Sequence, residues 1–131
     1  MTQPVVRRRR SKHPMIVVIG GGRILPEYFD RQLRGPASCE IVTAMLPSEV
    51  IWRLGRQRVP LVICDDTAPG MRSFQLMREI KARSPQTCVV LVVPSGSPDQ
   101  EQRAKAAGAD VYLPQSFALR RLQMLLDSIT I

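Results

Sequence analysis

The sequence predicts an α/β fold in which a parallel sheet lies between two layers of helices. Three observations carry that prediction. The segments Met15-Ile16-Val17-Val18-Ile19, Leu61-Val62-Ile63-Cys64 and Thr87 to Val93 are short apolar runs bounded by turn residues, the pattern of strands buried on both faces. Stretches with helical spacing of apolar residues separate them. The chain has 131 residues and is 44% hydrophobic, which suits one domain with a real core.

Taken in order, the first strand is Met15 to Ile19, and Gly20-Gly21-Gly22 ends it. Pro26 opens a helix through Leu33, with Leu25, Phe29 and Leu33 on one face, and Gly35-Pro36 stops it. Glu40 to Ala44 is a second, shorter strand. Ser48 is placed to cap a helix carrying Val50, Ile51 and Leu54, with Trp52 off that stripe. The third strand starts at Leu61. Phe74 to Ala82 follows as a helix with Phe74, Met77 and Ile80 inward, closed by Ser84-Pro85. After the fourth strand, Thr87 to Val93, Pro94 to Pro98 is a loop. Asp99 to Ala107 is a helix that Gly108 ends in a left-handed cap. Val111 to Leu113 is the fifth strand. Phe117 to Ile129 is the last helix, with Leu119, Leu122, Leu125 and Leu126 apolar. Five strands alternating with five helices imply right-handed crossovers and a three-layer sandwich.

Composition sets further bounds. No apolar run approaches the roughly 20 residues that span a bilayer, and Met15 to Gly21 is too short and strand-like for a signal sequence. Cys39, Cys64 and Cys88 are odd in number and widely spaced, against a disulfide framework or zinc site. Each lies in or beside a strand, so buried free thiols in a reducing compartment are expected. The expected location is the cytoplasm.

The net charge is +8, unevenly placed. Arg7, Arg8, Arg9, Arg10 and Lys12 hold five of the 19 basic residues with no acid among them, leaving 14 against 11 in the rest. Residues 1–13 read as a basic, disordered arm preceding a domain over 14–131. The arm is either a solvated tail or an electrostatic patch for nucleic acid, an anionic membrane or an acidic partner. His13 ends it with no second ligand or base nearby in sequence, so it is assigned no role.

The chemistry concentrates where Leu61 to Cys64 runs into Asp65 and Asp66, then Pro69-Gly70. Ligands of open α/β sheets sit beyond the carboxyl ends of the strands. The triple glycine after the first strand invites a nucleotide reading, but the fingerprint would put its third glycine at Leu25, and Glu40 precedes its strand instead of following it.

From Met15 to Ile129 the chain resembles the receiver domain of two-component response regulators. Asp65 followed by Pro69-Gly70-Met71 is similar to the family's D-x-x-M-P-G-M, with Ala68 in place of the first Met. Ala106 to Leu113 is similar to its A-x-x-A-G-A-D-x-Y-L segment, and Phe117 falls where its K-P-F ends. The resemblance implies a flavodoxin-like (βα)5 fold with strand order 2-1-3-4-5. It also implies a site in which an aspartate accepts a phosphoryl group from a histidine kinase. There, acidic residues after the first strand hold Mg²⁺, a Lys pairs with phosphoryl oxygens, and a Ser or Thr reads the modified state. Asp65 stands at the phosphoacceptor position.

The other positions depart from the family. The acidic pair falls on Gly20 and Gly21, the Ser/Thr on Val93 and the Lys on Gln115, with Ser116 for the Pro. Phosphoryl transfer needs positioning and charge neutralisation, so these losses all act against it. Asp66 is a candidate substitute ligand, against the plainer reading that it faces loop backbone or solvent. Ser95 replaces the lost hydroxyl only if its loop shifts by two residues.

The expected function is therefore a stand-alone, non-enzymatic receiver-like domain working through protein contacts or self-association. By the resemblance, the contact face combines the helix before Gly108, the fifth strand and the last helix, with Arg103, Tyr112, Arg120, Arg121 and Gln123. No cofactor is expected, and Mg²⁺ only if Asp65 is an unorthodox but working acceptor. A third reading is a nucleic-acid-associated protein using Arg7 to Arg10. No output domain follows Ile131, so a two-domain DNA-binding regulator is not expected unless the chain is a fragment.

Overall fold

The computed structural model describes residues 14–20, 40–66 and 73–128, the side chains of 117–119 aside. The arm, the helix expected from Pro26 to Leu33, Cys39 and the loop after Asp66 lie outside them, as does Ile129. The described elements are β1 (Met15–Ile19), β2 (Glu40–Ala44), α1 (Pro47–Leu54), β3 (Leu61–Asp65), α2 (Ser73–Arg83), β4 (Cys88–Val93), α3 (Pro98–Ala107), β5 (Val111–Pro114) and α4 (Gln115–Ser128). The five strands form one sheet in the order β2-β1-β3-β4-β5, every neighbouring pair parallel. This is the flavodoxin-like order.

Alternation along the strands divides the core in two. Met15, Val17, Ile19, Val62, Cys64, Val89, Leu91 and Val93 face one way, against Val50 of α1, Leu76, Met77 and Ile80 of α2, and Ala104 and Ala107 of α3. Ile16, Val18, Leu61, Ile63, Val90, Val92 and Leu113 face the other, against Leu122 and Leu126 of α4. Burial on both faces is why β1, β3 and β4 read as unbroken apolar runs. β2 is an edge strand and exposes Glu40 and Thr43.

Several boundaries differ from the sequence expectation. The cap of α1 is Leu46, not Ser48. Pro47 has the fixed φ suited to a first helical residue, and Glu49 Oε1 reaches back to accept from Met45 N and Leu46 N at 3.0 and 3.1 Å. α2 begins at Ser73, so its inward face is Ser73, Leu76, Met77 and Ile80, leaving Phe74 half-buried. Thr87 precedes β4, its hydroxyl donating to Val59 O at 2.7 Å. α3 begins at Pro98, with Ser97 Oγ accepting from Gln100 N at 3.1 Å. α4 follows β5 without a loop, starting at Gln115 instead of Phe117. Gly108 has φ +121, and a Cβ there would come within 2.9 Å of Lys81 Cγ. Both facts call for glycine at this cap.

At the amino ends of β4 and β5 the sheet is clasped to α2. Lys81 Nζ donates to Pro85 O at 3.1 Å, Thr87 O at 2.8 Å and Asp110 Oδ2 at 2.8 Å. The same Asp110 oxygen accepts from Val89 N, and Asp110 N donates to Val89 O, each at 2.8 Å. One ammonium thus ties the α2–β4 turn to the loop before β5. Lys81→Met removes all three bonds. It should lower unfolding free energy by about 1–2 kcal/mol, read as a fall in the urea midpoint with unchanged slope. An unchanged midpoint would mean that the clasp contributes nothing.

Cys64 is wholly buried in β3, and Cys88 half-buried at the start of β4. Burial, and secondarily the charge of Asp66, push the Cys64 thiol from 9.0 up to about 12. Burial and Asp110 raise Cys88, and Lys81 lowers it in part. A raised folded-state pKa favours the protonated thiol in the native protein. Cys64 therefore contributes stability that is complete below its unfolded value and lost as pH climbs from about 9 towards about 12. Cys64→Ala should flatten the alkaline fall of the denaturation midpoint over that range. Native protein treated with iodoacetamide should carry no label on Cys64, which peptide mass spectrometry reads directly.

Candidate phosphoacceptor site

The sheet register assembles the carboxyl edge. Ile19 pairs with Cys64, so Gly20 comes level with Asp65. Asp65 pairs with Val92, and Val93 with Pro114, one residue before Gln115. Gly20, Asp65, Val93 and Gln115 therefore stand along one edge, at the ends of β1, β3, β4 and β5. Gly21 and the loop 67–72 lie outside the described residues.

Asp65 is the last residue of β3 and only 3% exposed. Gly20 presses against it. A Cβ built on Gly20 would lie 2.7 Å from both the Cβ and the carbonyl oxygen of Asp65, and Gly20 has φ +146. An L side chain is disfavoured here by both backbone conformation and contact. Val93 is fully buried and packs into the core beside Leu91. Gln115 is half-buried at the first position of α4. Ser95 is exposed in the loop after β4.

Asp66 continues the ladder by donating its N–H to Val92 O at 2.8 Å. Its carboxylate Oδ1 accepts from Ser73 Oγ at 2.8 Å, and Ser73 is itself 3% exposed. The acid is thus half-buried and committed to the start of α2. Sequence reasoning missed Ser73. A serine at a helix start reads as an exposed cap, and only the fold shows that it is buried opposite an acid seven residues earlier.

Mg²⁺ requires an octahedral shell of oxygen donors and surrenders water reluctantly. The described residues do not fit it. Gly20 brings no carboxylate and leaves no room for one, Asp66 is held by Ser73, and no cluster of three His, Cys, Asp or Glu occurs among the described residues.

The residues expected on a contact face divide. Arg103 is exposed on α3 and meets Asp99 at 3.4 Å. Arg120 and Arg121 are exposed on α4. Gln123 is half-buried there, its amide donating to Asp127 at 2.8 Å. Tyr112 does not lie on the surface: it is 8% exposed. Its hydroxyl donates to Gln100 Oε1 at 2.8 Å and accepts from Ser97 N at 3.3 Å. The ring packs beside Gly96, where a Cβ would come within 3.1 Å of it. Met124, 60% exposed on α4, was not singled out by sequence. No described helix is long and apolar enough to cross a membrane.

Known proteins share this fold. Over 69 residues the chain is 38% identical to the response regulator protein FleR of Pseudomonas aeruginosa, covering 53% of this chain but 15% of that protein. A response regulator from Thermotoga maritima superposes with TM-score 0.69 at 23% identity, over 88% of this chain and 95% of that one. The receiver domain of a Pseudomonas aeruginosa sensor histidine kinase, whose active-site cleft coordinates a magnesium ion, superposes with TM-score 0.69 at 17% identity, over 88% and 95%. The response regulator receiver domain family matches residues 16–127. With that span reaching from β1 into α4, the chain belongs to the receiver domains of two-component signalling.

Proposed function

We propose that this chain is a receiver-type signalling domain that acts through protein–protein contact without a phosphorylation switch and catalyses no reaction of its own. The approach of Gly20 to Asp65 is the observation that carries this reading. The Cβ and carbonyl oxygen of Asp65 occupy the space that any side chain on Gly20 would need. Asp65 then offers one negative charge where an acidic triad offers three, and Mg²⁺ does not exchange its water for so little.

The remaining positions support the same reading. Gln115 can donate a hydrogen bond to a phosphoryl oxygen but cannot neutralise it. Val93 has no donor at all. A modification shifts a conformational equilibrium only by its differential interaction with the two states. With neither group present, even a modified Asp65 has little to move β4, β5 or the loop between Val93 and Pro98. Contact then falls to surfaces that are already formed, among them the exposed guanidinium groups of Arg103, Arg120 and Arg121.

Two experiments test this. Titration with millimolar Mg²⁺, then with beryllofluoride as a phosphoryl mimic, should leave amide chemical shifts unchanged. Saturable shifts at Asp65 that propagate to Ser95 and Tyr112 would instead establish an unorthodox but working phosphoacceptor.

The second experiment is Gly20→Asp. In a pocket that has only lost its ligand, this change restores Mg²⁺ binding. Here it should not. It should destabilise the protein by at least about 1–3 kcal/mol, because the new side chain meets Asp65 and its backbone leaves the allowed region. Denaturation and Mg²⁺ titration of the same variant read both effects. A stable variant that binds Mg²⁺ would overturn the proposal.

A further inference from the structure

Trp52 is the chain's only tryptophan, and it is not in the core. It stands on α1 off the buried stripe, 52% exposed. The Arg56 guanidinium lies over the indole, 4.2 Å from the ring centroid, with Arg53 at 5.6 Å. Met45 and Leu46, which lead into the helix, are 72% and 59% exposed. Ser48 and Trp52, Glu49 and Arg53, and Trp52 and Arg56 are spaced as i,i+4 neighbours. Ser48, Glu49, Trp52 and Arg53 line an open groove. A single exposed apolar side chain needs no explanation. Two that lead into an eight-residue helix and a third on its last turn, with arginine beside it, have the composition of a contact surface, where Trp, Met and Arg are enriched.

Charge selects the occupant. Glu49, the acid of the groove, is occupied by the backbone N–H groups of Met45 and Leu46. Among the described residues, ion pairs engage Lys81, Arg103 and Lys105, so Arg53, Arg56 and the exposed Arg58 keep their charge for a partner. A second copy, itself at +8, is repelled. A nucleic acid prefers an open aromatic face for stacking. Here Arg56 covers the indole, and Met45 and Leu46 offer aliphatic contact that bases and phosphates use little.

We propose that the α1 face of Met45, Leu46, Trp52, Arg53 and Arg56 docks an acidic segment of a partner protein that carries apolar anchors. The guanidinium groups meet its carboxylates. The two aliphatic side chains take its anchors, against the edge of the indole that Arg56 leaves open. This docking does not involve Asp65, and it holds whether or not that carboxyl is modified.

The lone tryptophan makes the test direct. The full-length protein, without Mg²⁺ or phosphodonor, is titrated with a short peptide alternating Glu with Leu and Phe, and Trp52 emission is followed. A saturable change is expected. It should weaken roughly tenfold or more in Arg53→Glu/Arg56→Glu, in Met45→Ser/Leu46→Ser, and with the peptide's Glu replaced by Gln. Circular dichroism verifies that the variants, altered at exposed positions and at the half-buried Arg53, remain folded. Replacing Arg7 through Arg10 by Gln should leave the response intact. No saturable response, or one that vanishes with the arm or survives Arg53→Glu/Arg56→Glu, would overturn the proposal. So would an equal or stronger response to an oligothymidylate, which would assign the face to nucleic acid.

Discussion

The whole arrangement depends on the burial of both faces of a parallel sheet. Once Val17 and Val18, or Ile63 and Cys64, point to opposite cores with neither exposed, the inner strands have no side left for polar work. The strand ends and the helix surfaces are the only places for chemistry or recognition. Asp65 is the last residue of β3, where the strand gives way to the loop and a carboxyl can be placed at the sheet's edge. The same constraint makes that end sensitive to small changes. Gly20 touches the terminus of the neighbouring strand, so one glycine conformation just after β1 decides what can be built beside β3.

The two ends of the sheet solve their polar problems differently. At the amino ends, Lys81 and Asp110 satisfy carbonyls and an N–H across three segments, while their charges stay partly in water, at 26% and 41% exposure. Neither therefore carries the desolvation cost of a buried ion pair. At the carboxyl ends the polar contacts are local. Asp66 bonds Ser73, and Tyr112 bonds Gln100 and Ser97. The first end is a clasp. The second is a set of separate small contacts around a carboxyl.

The sheet was legible in the sequence because its signal is redundant. An apolar run such as Cys88 to Val93, flanked by turn residues, allows few other readings, and the βα alternation then leaves little freedom in topology. Helix starts were less legible. Ser48 has the right chemistry for a cap, yet Pro47 and Glu49 set the start earlier. Such contests between neighbouring signals are decided by geometry that sequence does not display. At the edge, the identities at Gly20, Asp65, Val93 and Gln115 were readable, and so was their common placement once the strands were counted. The contact distance between Gly20 and Asp65 was not readable, nor was the bond from Ser73 to Asp66, because both depend on segments distant in sequence. Tyr112 misled for a related reason. Its residue type fits a surface, but its hydroxyl finds two partners inside.

Those two partners have a consequence for populations. Swinging the Tyr112 ring out to solvent breaks both bonds and opens a gap beside Gly96. At about 1 kcal/mol for each hydrogen bond, before any lost packing, the outward ring is held to a few per cent of molecules or fewer. The inward state is secured by Gln100 and Ser97, residues of the first turn of α3 and its cap. That turn and the end of β5 are therefore tied through one phenol, and a change at Gln100 or Ser97 is felt at Tyr112.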